Sequence, residues 1–323
     1  MAGEPYVYAV TRVRIHEQHL LKHQDMDALS AAENVGEALN VLSGKGWDVR
    51  LSPADMIERE LEKTWALIAE AAGDIAALYV FRCARDFHNL KAAVKLVYLA
   101  EPALDRERYF LPYGAVPVAR IIAAAENQNF GSLPDALAVP GKAAWETLKA
   151  TGNGQLCEII VDRAALEETY KAGEASRIPL LQRYAELTVD AANVLAAMRC
   201  QKLGRDRSFL ERVLADAGRL SKKDLINAAL GDEQEIPQFL RSTPYAAAAA
   251  ALNESPSAFE RWRNIEFMNL IQPQRGAISG VEPLAAYILA RENEIRMVRL
   301  ILSAKINQLS RDSLQERLGR TYV

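Results

Sequence analysis

The sequence is short of cysteine, of glycine and proline, and of unbroken apolar runs, and it carries no surplus of positive charge. Its three cysteines, Cys83, Cys157 and Cys200, are odd in number and widely spaced with no CxxC. Neither a disulfide framework nor a zinc site is indicated, and reduced core or half-buried thiols are expected. Glycine and proline together make 30 of 323 residues, which excludes a collagen-like or low-complexity chain. No apolar run approaches the roughly 18 residues of a membrane span; Ala246 to Leu252 stops at Asn253. The start, Met1 to His16, carries Glu4, Arg12 and Arg14, so it does not read as a signal peptide. A cytoplasmic protein, or one on a cytoplasmic face, is expected. With 39 Lys and Arg against 42 Asp and Glu the net charge is −3, and a dedicated nucleic-acid binder is not indicated.

What is present favours helix. Half the residues are hydrophobic and 53 are alanine, with Leu, Glu, Arg and Lys forming much of the rest, so the composition predicts an all-α chain with ample material for a core. The clearest helix runs from Pro53 to Ala72, with Ser52 placed to cap, Asp55 at the positive end and Gly73 after the last turn. Its residues Ile57, Leu61, Trp65 and Ile68 recur every three or four positions and form one stripe. Similar periodicity predicts helices over 6–23, 78–99, 180–203, 209–217, 258–270 and 284–309. Alternation of the strand type is confined to Glu158–Val161, too short to argue a strand.

The chain also repeats itself. Asp86 in RDFHNLKAAVK, Asp190 in VDAANVLAAMR and Glu294 in NEIRMVRLILSAK are 104 and 104 residues apart, and each follows an apolar helical stretch containing Tyr79, Tyr184 or Tyr287. Asn89 and Asn193 stand three residues after the first two acids, on the same helical face; the third copy has Met297 there. A second segment follows the first two long helices, at 120–139 and 224–245, and residues 28–47 have the same character. Three helical modules are therefore expected: residues 1–74 with 281–323, closed by both ends of the sequence, then 75–175, then 176–280.

Charge is uneven. Residues 25–74 hold 11 acids and 4 bases, while 199–224 hold 8 bases and 4 acids. Solvated helix faces account for such runs in helical proteins; the sharper reading is docking to partners of opposite charge, with Arg205, Arg207 and Arg212 as the candidate residues. There is no GxxxxGK[ST], GxGxxG or GxSxG. His16, His19 and His23 would share a helix face, but with no neighbouring cysteine and no HExxH a solvated face is the better reading than a metal site. Three acids a module apart are unsuited to acid–base catalysis, which needs two groups on one substrate. A structural role is expected: Asp86 with Arg82 and Glu292 with Arg296 as helix-face ion pairs, and Asp with Asn tying neighbouring helices. Phe259, Trp262 and Phe267, interleaved with Arg261 and Arg263, have the spacing of core packing rather than of a base-stacking surface.

Side by side, Asp86-Phe-His-Asn89-Leu-Lys91, Asp190-Ala-Ala-Asn193, the Ala138-Val-Pro-Gly141 turn, and Ala286 to Glu294 followed by Glu316-Arg-Leu and Tyr322-Val323 carry a resemblance. The chain resembles the C subunit of bacterial and archaeal V-type (A-type) ATP synthases, relatives of the d subunit of eukaryotic vacuolar ATPases, over nearly its whole length. That resemblance implies an all-helical, funnel-shaped protein of three similar domains about a pseudo-threefold axis. It implies a central-stalk rotor piece, peripheral to the membrane, with the central shaft subunits and the proteolipid ring as partners. It implies no catalytic residues, no cofactor and no ATP site, and torque passed between the soluble motor and the ring. A free-standing helical-repeat scaffold for protein partners is the alternative.

Overall fold

The computed structural model describes residues 6–100, 106–309, 314 and 318–323, and holds fifteen α-helices and no strand among them. Two compact units divide the chain: Met1–Ile75 with Ala246–Val323, and Ala76–Tyr245.

The first unit opens with α1 (Val7–Glu17), α2 (His23–Ala31), α3 (Val35–Ser43) and α4 (Pro53–Ala72). Local signals set these limits. The Asn34 and Ser52 side chains accept from the backbone N–H groups of Glu37 and Asp55, satisfying donors that the first helical turn leaves free. Gly73, at φ 71, then stops α4.

The second unit contains α5 (Tyr79–Tyr98), α6 (Val118–Glu126), α7 (Asp135–Thr151), α8 (Gly154–Ser176), α9 (Pro179–Lys202), α10 (Arg207–Val213), α11 (Lys222–Ala229) and α12 (Glu235–Arg241). The chain then returns to the first unit with α13 (Ala246–Glu254), α14 (Pro256–Ile271) and α15 (Glu282–Ile306).

In the first unit α15 packs on α1, α2, α3, α4 and α14. Leu21, Met26, Leu29, Leu42, Trp47 and Met56 share one core with Ile295, Val298, Ile301 and Leu302. Each such side chain contributes about 1.5–3 kcal/mol on burial, so helices far apart in sequence are held by one apolar mass.

In the second unit α8 lies between α5 and α9. Lys95 pairs with Glu158 and Lys91 with Asp162, both at 2.7 Å, while Cys83 meets Thr169 at the other end; α5 and α8 are therefore antiparallel. Arg177, at φ 55, turns the chain into α9, where a Cβ on Gly173 would stand 2.5 Å from that of Ala185. Only glycine lets α8 and α9 approach so closely there. Phe87, Leu90, Val94, Ile121, Phe130, Leu137 and Leu148 build this unit's core.

The three long helices carrying the repeat end in register. Tyr98, Lys202 and Ile306 are their last residues, and Ala100, Gly204 and Gln308 follow in the left-handed conformation at φ 52, 60 and 53. In the second and third, Arg205 N–H donates to the Cys200 carbonyl and Leu309 N–H to that of Ala304, both at 2.9 Å, closing a Schellman-type end. Leu99, Leu203 and Leu309 beside these turns are exposed.

Several local expectations are corrected. α1 stops at Glu17, so His16, His19 and His23 do not share a helix: His19 is in the connection and His23 opens α2, facing Asp27. Residues 158–161, too short to argue a strand, are helical, inside α8, as the all-α reading expects. The 138–141 segment is no turn; α7 runs through Pro140, and Gly141 leaves space for Phe130 and Leu90. α10 ends at Val213 rather than 217, where the backbone turns to meet α9. Glu316 and Arg317 lie outside the described residues.

Candidate functional site

The repeated acids occupy the middle of the long helices and are buried, as are Asn89 and Asn193. Asp86 accepts from the backbone N–H groups of Ala115 and Val116 at 3.1 and 3.0 Å. One turn further along α5, Asn89 donates to the Leu111 carbonyl at 2.9 Å and accepts from the Leu111 N–H at 2.7 Å. Arg82, one turn back, donates to the carbonyls of Tyr113 and Gly114. Three side chains of one helix thus seat residues 111–116, the strap that leads into α6.

The second copy repeats this. Asp190 accepts from the N–H groups of Arg219 and Leu220 at 3.0 and 3.1 Å, and Asn193 exchanges both bonds with Ala215 at 3.1 and 2.9 Å. The partners are 30 and 22 residues downstream in both copies. Tyr245 adds a hydroxyl that donates to Asp190 at 2.6 Å, and Arg183 donates to that hydroxyl. Burial pushes both aspartates above the ordinary carboxylate range, opposed at Asp86 by the backbone donors and at Asp190 first by the Tyr245 hydroxyl and then by the backbone donors.

A short aspartate reaches a backbone only if the backbone comes close, and glycine permits that. A Cβ on Gly114 would lie 2.3 Å from Asp86 Oδ1, and one on Gly218, at φ +95, 2.2 Å from Asp190 Oδ1. These glycines are also 104 apart.

In the third copy Glu294 Oε2 accepts from the N–H of Leu21, in the connection between α1 and α2. The donating residue stands two before the next helix in all three copies: Val116 before Val118, Leu220 before Lys222, Leu21 before His23. The extra methylene of glutamate reaches farther, and His19 stands where the other copies have glycine. Arg291 donates to Glu294 and to Glu60 of α4, and Glu60 also meets Lys63 at 2.5 Å. Arg291 lies over the Trp47 ring at 5.7 Å. Glu294 is pushed up to about 7, first by burial, against the pull of Arg291 and of the Leu21 N–H.

The carboxylates thus act on the protein's own backbone: each holds the entry to a helix, a structural clamp rather than a proton-transfer pair. Asp and Asn bind this strap backbone rather than tie neighbouring helices directly. Arg296 donates to Asn293. Phe259 is buried against Trp262, with ring centres 5.4 Å apart, and Trp262 and Phe267 are half-buried. Among the described residues no group of His, Cys, Asp and Glu could hold a metal ion, and no helix is long and apolar enough to cross a membrane.

Arg205, Arg207 and Arg212 are exposed and drawn together around α10. The Arg205 and Arg212 guanidinium carbons lie 4.9 and 5.5 Å from the centre of the Phe209 ring, and Arg207 donates to Asn227 at 2.7 Å. Asp206 is occupied as the cap of α10, accepting from Phe209 N–H. Sequence periodicity missed Glu60 and Arg291, which an apolar stripe does not mark, and the clamp glycines, whose 104-residue spacing was the available signal.

The ATP synthase (C/AC39) subunit family matches residues 9–317 of the chain. The C subunit of the V-type sodium ATPase of Enterococcus hirae is 23% identical over 270 residues, covering 82% of this chain and 81% of that protein. The C subunit of the A-type ATP synthase of Methanocaldococcus jannaschii is 21% identical over 350 residues, covering 97% and 86%.

Proposed function

The chain belongs to the ATP synthase (C/AC39) subunit family, and from that membership we propose that it is the central-stalk rotor subunit of a V/A-type rotary ATPase. In this reading it links the shaft of the soluble motor to the proteolipid ring, so that ATP hydrolysis or synthesis is coupled to ion transport. It is non-catalytic, peripheral to the membrane and on its cytoplasmic side.

One observation supports the reading most. Each of the three long helices is locked at mid-length to the strap that enters another helix, by a buried carboxylate on a backbone N–H two residues before that helix. A part that transmits torque must resist bending, and close packing with satisfied buried polar groups supplies that stiffness. We take the repeat to define three related modules, 1–74 with 281–323, 75–175 and 176–280, about a pseudo-threefold axis. Arg205, Arg207 and Arg212 form a docking surface for an acidic partner subunit, since their charges face solvent with no carboxylate at hydrogen-bond range among the described residues.

The test is recovery of the tagged chain from its own host in mild detergent, followed by mass spectrometry. ATPase catalytic subunits together with a small proteolipid are expected. Recovery alone, or with unrelated soluble proteins, refutes the rotor assignment and puts a free-standing scaffold in its place.

A further inference from the structure

The third clamp differs from the other two in a way that makes it sensitive to protons. In the first and second copies a non-titrating asparagine holds the strap beside the acid, through Leu111 and Ala215. The third copy has Met297 at that position, so among the repeated contacts Glu294 alone holds the α1–α2 connection. Glu294 is also buried beside a second carboxylate, and one guanidinium, that of Arg291, serves both.

The charged groups acting on Glu294 come from α15 itself, from α4 and from α2. They are Arg291 on its own helix, Glu60 with Lys63 on α4, and Asp25 on α2, itself paired with Lys45 at 2.8 Å. Tyr287, two turns back, is a buried phenol on which Glu17 of α1 acts, and Arg291 acts in turn on His16 of α1. We propose that the Glu60–Arg291–Glu294 cluster is a proton-sensitive latch on the α1–α2 connection, closed while Glu294 carries a proton and loosened when it ionises.

A protonated carboxyl keeps an acceptor oxygen for the Leu21 N–H and residual acceptor capacity toward Arg291. It does so without a second buried negative charge. Ionisation adds a second buried carboxylate to the Arg291 guanidinium, which already serves Glu60 together with Lys63, and opening the connection hydrates Glu294 and relieves its desolvation. The sign follows from linkage. Glu294 sits at about 7 in the closed state against 4.5 ordinarily, so closing takes up a proton and acid favours the closed form.

Amide hydrogen exchange on the full chain, corrected for intrinsic rates, tests this. Protection at Leu21 is expected to fall about tenfold between pH 6 and pH 8, while that at Val116 and Leu220 stays level. Glu294→Gln, which keeps an acceptor oxygen without the charge, is expected to flatten the response. Glu60→Gln, which leaves Arg291 to Glu294 alone, is expected to move it to lower pH. Level protection at Leu21 in the natural chain overturns the latch, and so does a Glu294→Gln chain that keeps the natural slope. The natural-chain measurement decides the matter even where a variant fails to fold.

Discussion

Gly218→Ala strikes the second clamp at its narrowest point. The new Cβ would stand 2.2 Å from Asp190 Oδ1 and 3.0 Å from its Cγ, and the backbone there is at φ +95. Either the carboxylate swings away, losing the N–H groups of Arg219 and Leu220, or the strap lifts and takes Ala215 from Asn193. A buried hydrogen bond to a charged group is worth about 1.5–3 kcal/mol, and the left-handed backbone adds about 1–2 kcal/mol for a residue with a Cβ. With partial relaxation the expected loss is about 3–5 kcal/mol. Gly114→Ala meets Asp86 at 2.3 Å but without a positive φ, so its loss is expected to be smaller by about 1–2 kcal/mol. Gly204, at φ +60 with nothing within 4 Å of a Cβ, isolates the conformational part at about 1 kcal/mol. Urea unfolding followed by far-ultraviolet circular dichroism, with the slopes compared as well as the midpoints, separates the three. A Gly218→Ala loss below about 1 kcal/mol, or no larger than that of Gly204→Ala, would refute the clamp as a stabilising contact.

Three further expectations follow from other parts of the molecule. Paired replacement Arg205→Glu and Arg212→Glu leaves the urea midpoint nearly unchanged, because both side chains are exposed; recovery of partner subunits on a tagged chain is expected to fall severalfold, and unchanged recovery removes α10 from the docking surface. Cys83, Cys157 and Cys200 are all buried, and burial raises each thiol, the first two to about 11. They are expected to resist a maleimide in the native chain at pH 7 and to react together in urea; rapid native labelling of any one contradicts its burial. Ionisation of Glu294 is less favourable in the folded chain than in the unfolded one, so its contribution to stability is greatest below about pH 4.5 and is lost as pH rises through about 7. Unfolding at pH 8 is expected to require roughly 1 kcal/mol less than at pH 6, a difference that Glu294→Gln should remove.

Helix was legible because its signals are local. Ser52, Pro53 and Gly73 mark the bounds of α4 as composition and spacing suggest. The acids were legible through repetition, but their work was not: the partners of Asp86 and Asp190 are backbone amides 30 residues on, and an amide leaves no mark in a sequence. The same limit hid Glu60. It lies on the buried face of α4 because Arg291, 231 residues away, needs it, and a polar residue among apolar ones reads as exposed until its partner is known. Ala138 to Gly141 misled for a different reason. Proline followed by glycine usually turns a chain, yet here α7 continues, and the missing side chain at Gly141 admits Phe130 and Leu90. The histidines misled through period alone, which continues past Glu17 although the helix does not.

The pairing of Leu21 with Glu294 sets an order on biosynthesis. The two residues are 273 apart, so a ribosome working at about 5–20 residues per second reaches Glu294 roughly 14–55 s after Leu21 has been made. Until then Met26, Leu29, Leu42 and Met56 lack the apolar face that completes their core, while the second unit, contiguous in sequence, has every part it needs once Tyr245 has been made. Helices α1 to α4 are therefore made before the second unit but completed after it, and a nascent chain must keep them from other apolar surfaces until α15 arrives.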